Sequence, residues 1–225
     1  MKETKEKIQK WIKQKVDGTN ATGVVVGMSG GIDSSVVAVL CNEVVDTVGL
    51  IMPCNSDKQD EKDALSIIKQ FGIKNCAVRL ESTFTVLNAS FHSFDEDISP
   101  HTALAQANLK SRLRMCTLYY YANAYDRLVI GTTNRTEMLL GYYTKGGDSQ
   151  VDMEPIGALF KSDVRKLARE LGIPDKIINK PPSAGLWEGQ TDEGELGITY
   201  EELDRIFKMA DDSMHKKVMP DICRL

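Results

Sequence analysis

The chain has 225 residues, 42% of them hydrophobic and 27% charged, ordinary proportions for a globular protein long enough to bury a real core. Its formal net charge of −4 speaks against a nucleic-acid surface, and no apolar run approaches the roughly 20 residues that span a bilayer. Five scattered cysteines without a CxxC pair, and three histidines without ligand spacing, read as reduced thiols of a cytoplasmic protein rather than as a zinc site.

Residues 3–16 place Ile8, Trp11, Ile12 and Val16 at helical spacing among lysines and glutamates, which predicts an amphipathic helix. Gly23–Met28 is a short apolar run with β-branched residues, suited to a buried parallel strand. Ser35–Val45 is predicted helical, Thr47–Met52 a second strand, and Asp57–Phe71 a helix closed by Gly72. Asn75–Leu80 gives a third strand, Thr102–Tyr125 a long helix after Pro100, Arg127–Gly131 a fourth strand and Thr133–Leu140 a short helix. Gly141–Gly157 has weak periodicity, and a loop this long in a compact domain is usually functional or mobile. Ser162–Leu171 is predicted as a helix capped by Ser162 and stopped by Gly172 and Pro174. Lys180–Gly197 reads as irregular, and Thr199–Ala210 as a helix capped by Thr199 with Glu202 three residues on. Alternating strands and helices predict an α/β fold, a doubly wound parallel sheet flanked by helices. With no internal repeat and no linker, residues 1–225 read as a single domain, residues 1–18 forming its N-terminal helix.

The chemistry begins at Gly27, Met28 and the run Ser29-Gly30-Gly31-Ile32-Asp33-Ser34-Ser35, which joins a buried strand to a helix. Glycines there let the backbone approach an anion, and the helix N-terminus offers free N–H groups and a positive dipole end. Ser29, Ser34 and Ser35 add hydroxyl donors. The run is neither GxxxxGK[ST] nor GxGxxG, so it is not a Walker A loop or a dinucleotide fingerprint. Asp33 alone would repel phosphate. Its expected use is to hold a divalent cation against phosphate oxygens from an exposed loop, an arrangement suited to a pyrophosphate leaving group.

SGGIDSS resembles the pyrophosphate loop of the N-type ATP pyrophosphatases, which cleave ATP to AMP and pyrophosphate. Further blocks follow in order: Asn108–Arg114, Gly131–Glu137, Leu140–Asp148, Lys161, Lys180–Trp187 and Gln190–Gly197. Together they resemble the NAD synthetases, with the adenine nucleotide alpha hydrolase-like fold. That resemblance implies adenylation of the nicotinate carboxylate of deamido-NAD by ATP with release of pyrophosphate. Ammonia then displaces AMP to give NAD. It also implies magnesium as cofactor, ATP as co-substrate and a homodimer built on the N-terminal helix and residues 102–125, although Ile8, Trp11 and Ile12 equally suit the chain's own core.

Residue by residue, the resemblance makes Asp33 and Glu137 the magnesium carboxylates, and Gly27 to Ser35 with Thr132, Lys161 and Ser183 the ATP contacts. Arg114, Lys145, Asp152, His215 and Lys216 become deamido-NAD contacts, and Asp148 an acid or base for ammonia. Asp33 and Lys161 stand with Asp148 as the catalytic set. Gly185 departs from the acidic residue many members carry, which puts a contact from that side chain in doubt. The segments Gly141–Asp152 and Pro181–Gly197 are expected to order over substrates. No cysteine sits in a nucleophile context and no glutaminase domain is visible, so free ammonia is the expected nitrogen source unless a separate glutaminase subunit delivers it. Two other readings compete, a tRNA-modifying thiolase of the same superfamily and a nucleotide-binding protein without turnover.

Overall fold

The computed structural model describes residues 1–91, 102–183 and 191–222, with side chains described as far as residue 211. In chain order the elements are α1 (Lys2–Asp17), β1 (Gly23–Gly27), α2 (Ile32–Asn42), β2 (Thr47–Ile51), α3 (Lys58–Phe71), β3 (Lys74–Ala77) and α4 (Glu81–Phe91). Then follow α5 (Thr102–Ala124), β4 (Arg127–Ile130), α6 (Arg135–Leu140), α7 (Lys161–Glu170), α8 (Asp175–Ile178), α9 (Asp192–Leu196) and α10 (Tyr200–Ile222). No helix among the described residues is long and apolar enough to cross a membrane.

The sheet is wholly parallel, in the order β3-β2-β1-β4. Its alternating valines divide the core between two faces. Val24 and Val26 pack with α1, α2, α3 and α7 through Ile12, Val16, Leu40, Ile67, Ile68 and Leu167. Val25 and Val129 face the other way, toward Leu80, Phe84 of α4 and Ala122 of α5. The chain winds from β1 through β2 to β3 and then returns to place β4 on the far side of β1, with Val26 opposite Ile130. This reversal makes the β1–β4 carboxyl edge a topological switch point, the place where open α/β sheets bind ligands.

Several local expectations need correction. β3 ends at Ala77 rather than Leu80, although the Val78 and Leu80 amides still donate to Ile51 and Pro53 carbonyls. α4 was not expected. Its Ser, Thr, Asn and Phe content is poor in helix formers, and of its side chains Phe84 is the buried one. α9 lies inside the stretch read as irregular, with Thr191 accepting from the Gly194 amide as its cap. α10 carries its predicted Thr199–Glu202 capping box and runs on past Ala210 to Ile222. Ser162 does not cap α7, whose N-cap is Phe160. The free amides of that helix are satisfied from elsewhere. Lys161 N–H donates to Thr136 Oγ1 at 3.0 Å, and Ser162 N–H to Asp204 Oδ2 at 2.7 Å.

Candidate active site

The turn after β1 is shaped by Gly30, whose φ of +79° is a left-handed conformation. A Cβ at Gly30 would overlap the Asp60 carbonyl of α3, so the loop backbone and α3 are in direct contact. Ser34 turns inward, where its hydroxyl lies 3.0 Å from Ser29 Oγ and donates to the Gly31 carbonyl at 3.1 Å. Ile32 and Ser35 are buried beneath the loop, and the Ser35 hydroxyl also donates to Gly31. Met28 is buried and Gly27 half-buried, so both shape the loop from below. α2 begins at Ile32, which puts Asp33 in its first turn. Asp33 is therefore not on an exposed loop as expected: its side chain is 17% exposed and lies 2.5 Å from Lys161 Nζ.

From β4, the Gly131–Asn134 turn enters α6. Asn134 is the N-cap and forms a capping box with Glu137, each accepting from the other's amide. Asn134 Nδ2 also donates to Asp33 Oδ1 at 3.1 Å, joining the two strand ends. Lys161, at the start of α7, brings its ammonium between Asp33 Oδ2 and Glu137 Oε1, the latter at 3.2 Å. Tyr200 lies against this cluster. Its ring centre is 4.9 Å from Lys161 Nζ, and its hydroxyl donates to the buried Asp192 at 3.0 Å.

Burial pushes the Glu137 carboxyl up to about 7, with Lys161 opposing the shift and Asp33 adding to it. Burial alone would lower Lys161, but the Asp33 and Glu137 carboxylates reverse this and hold the ammonium above its usual range. Asp192 is raised, again by burial first, against the pull of Lys161. One lysine therefore faces three carboxylates. Two of them, Asp33 and Glu137, reach the site from different strand ends, as hard oxygen donors that suit magnesium together with phosphate oxygens and water.

A cavity of about 430 Å³ is lined by Thr133, Met138, Tyr143, Ser149 and Glu154. Glu154 accepts from the Thr133 amide at 3.0 Å, and its carboxyl fills the space a side chain at Gly131 would need. Burial raises this carboxyl to about 8, against the Thr133 hydrogen bonds and with help from Glu137 and Asp148.

The chain matches the family described as NAD synthase over residues 4–222. It belongs to the NAD synthase family. The NH(3)-dependent NAD(+) synthetase of Carboxydothermus hydrogenoformans is 44% identical, across 98% of this chain and 96% of that protein. The corresponding synthetase of Methanocaldococcus jannaschii is 48% identical, over 93% of this chain and 81% of its own length. Among solved structures, an NMN synthetase from Francisella tularensis superposes with a TM-score of 0.87 at 40% identity, covering 92% of this chain and 85% of that one.

Within this NAD synthase fold the predicted residues fall into groups. Asp33, Glu137 and Lys161 meet directly, and Thr132 sits half-buried in the turn leading to them. Ser183 is exposed, three residues after Lys180, which is clamped by Asp60 and Asp63 of α3 at 2.7 and 2.9 Å. Asp148 receives the Ser111 hydroxyl at 2.8 Å and the Thr144 amide at 2.9 Å, pinning the loop after α6 to α5. Lys145 is exposed on that loop, its carbonyl gripped by Arg112. Arg114 donates to the Met52 carbonyl and the Ser56 hydroxyl near the carboxyl end of β2. Asp152 accepts from the Val129 amide and the Tyr119 hydroxyl. His215 and Lys216 lie beyond the described side chains, and Gly185 lies outside the described residues.

Glu154, Asp192, Tyr142 and Tyr200 entered the site without being foreseen. Tyr142 donates to Asp192 and Glu195, tying α9 to the loop after α6. Asn134 had a legible signal, since Asn with Glu three residues on is a capping box. The tyrosines had none, because their roles arise from contacts as far as 63 residues apart in sequence.

Proposed function

We propose that the chain is an ammonia-dependent NAD synthetase, acting in the cytoplasm as one synthetase domain. The convergence of Asp33, Glu137 and Lys161 at the β1–β4 carboxyl edge carries this reading, in a chain 44–48% identical to ammonia-dependent NAD synthetases. The loop from Gly27 to Ser35 cradles the triphosphate of ATP, with Thr132 and Ser183 as further contacts. Arg114, Lys145, Asp152, His215 and Lys216 hold deamido-NAD so that its nicotinate carboxylate faces the α-phosphorus. Asp33 and Glu137 would hold magnesium, which when bound would neutralise charge on the departing pyrophosphate. Lys161 adds a positive charge to the same oxygens, and alignment of carboxylate and phosphorus does the remaining work. Asp148 positions the incoming ammonium and takes one proton from it. The ammonia so formed attacks the acyl-adenylate, the nitrogen gives up a second proton to solvent as the amide forms, and AMP leaves with the electrons of the broken C–O bond.

Free thiols at Cys41, Cys54, Cys76 and Cys116 suit a reducing compartment. Leu104 and Tyr120 on α5, Tyr125 just after it, and Val86 and Phe91 on α4 form exposed apolar surface that suits a homodimer, whereas Ile12 of α1 belongs to the chain's own core.

A second reading changes only the acid that is amidated. The likeness to an NMN synthetase favours nicotinate mononucleotide in place of deamido-NAD. One assay separates them: ATP, magnesium and ammonia with either substrate, following AMP, pyrophosphate and amide. Amide formation from deamido-NAD with equimolar AMP and pyrophosphate is expected. ADP as product, or turnover with the mononucleotide alone, refutes the first reading.

A further inference from the structure

Asp33 and Glu137 each give one oxygen to Asn134 and turn the other toward Lys161. Asn134 Nδ2 holds Asp33 Oδ1, and the Asn134 amide holds Glu137 Oε2, both at 3.1 Å. The inward oxygens, Asp33 Oδ2 and Glu137 Oε1, lie 2.5 and 3.2 Å from the same ammonium. Lys161 Nζ thus occupies the point on which both carboxylates converge. Its side chain is 3% exposed, closed off by the Tyr200 ring. A divalent cation held by these carboxylates would compete with the ammonium for the same inward oxygens. While the ammonium holds both oxygens, a free cation meets a site already neutralised in part by Lys161.

We propose that Lys161 sets the order of binding, admitting the metal only together with the nucleotide. This rests on the ATP-site reading above. Without nucleotide the tethered ammonium has a high effective concentration at the carboxylates and outcompetes a free cation. When the triphosphate arrives, its oxygens offer Lys161 an alternative anion. The ammonium moves to phosphate and Asp33 and Glu137 become open to the ion. Both cations are then satisfied, because the phosphates bring more negative charge than Lys161 removes from the carboxylates.

The test measures two affinities without turnover. Mn²⁺ is titrated into the nucleotide-free protein and followed by electron paramagnetic resonance, and metal-free ATP is titrated in the presence of chelator by calorimetry. Lys161→Met and Lys161→Gln are each expected to bind one Mn²⁺ about tenfold or more tightly than wild type, and to bind metal-free ATP at least tenfold more weakly. The opposite signs are the signature, since a merely structural role weakens both. Adding Asp33→Asn to either variant is expected to remove the gain in Mn²⁺ affinity. Wild-type protein that binds Mn²⁺ without nucleotide as tightly as these variants overturns the proposal. Should neither variant fold, wild type alone decides: micromolar Mn²⁺ binding without nucleotide overturns it, and millimolar or weaker binding supports it. A protein that makes no NAD yet shows the two opposite shifts refutes the proposed function and leaves this inference standing.

Discussion

Asp33→Asn separates the role of Asp33 in chemistry from its role in folding. In the folded chain Asp33 is one of two carboxylates sharing the Lys161 ammonium, at 2.5 Å against 3.2 Å for Glu137. Removing its charge loses a charge-assisted hydrogen bond of about 1.5–3 kcal/mol. It also relieves repulsion between Asp33 and Glu137 and leaves Glu137 as the carboxylate in contact with Lys161. The net cost should be about 1–2 kcal/mol, which for a chain of this length lowers Tm by about 2–8 °C. Turnover should fall about 10²–10³-fold, because a carboxylate proposed to hold the metal is lost while the Asn134 contact is kept. Thermal unfolding and initial rates at saturating ATP and magnesium measure the two effects. A variant that keeps more than a tenth of wild-type turnover refutes the metal role. A fall in Tm beyond about 15 °C refutes the shared-lysine account.

Glu154 ionises near pH 8 when folded, well above the ordinary carboxylate range, so its contribution to stability is complete in acid and is lost as pH rises toward 8. Glu137 is shifted in the same direction, to about 7. Glu154→Gln should therefore gain Tm relative to wild type between pH 5 and pH 8.5; parallel Tm curves would sink this account. Gly30→Ala places a side chain at φ +79° against the Asp60 carbonyl and should cost about 2 kcal/mol or more while weakening ATP binding. Unchanged ATP affinity by calorimetry would contradict it. Asp204→Ala strands the buried Thr136 hydroxyl and the Ser162 amide and should cost about 2–4 kcal/mol in urea unfolding. A cost below about 0.5 kcal/mol would show that these groups find other partners.

The elements most legible in sequence were those whose signal is local. The valine run of β1, the Asp57 cap and Gly72 stop of α3, and the Thr199–Glu202 box of α10 each announce themselves within four residues. The glycine loop was equally plain, as was the presence of a carboxylate within it. Features stabilised from a distance were not. α7 was legible to within a residue at each end, but it takes its N-terminal partners from Thr136 and Asp204, so the serine that looked like its cap is spared that duty. α4 overrides its weak propensity by burying Phe84 under the sheet. At the site, Asp33, Glu137 and Lys161 could be named one at a time. That they form a single charge cluster depends on the β1–β4 adjacency, which strand order sets and periodicity does not.

β4 ends the sheet, yet its outer edge is not bare. Met153 bridges Ile130, the Asp152 amide donates to Val129, and the Asp152 carboxylate takes the Val129 N–H. A short segment and one acidic side chain thus consume the hydrogen-bonding capacity that another molecule's strand would seek. The flank that carries the Asp33–Glu137–Lys161 cluster is thereby closed to sheet-to-sheet polymerisation. Loss of the Asp152 carboxylate would register first as faster amide exchange at Val129, and in concentrated solution as a growing tendency to form fibres.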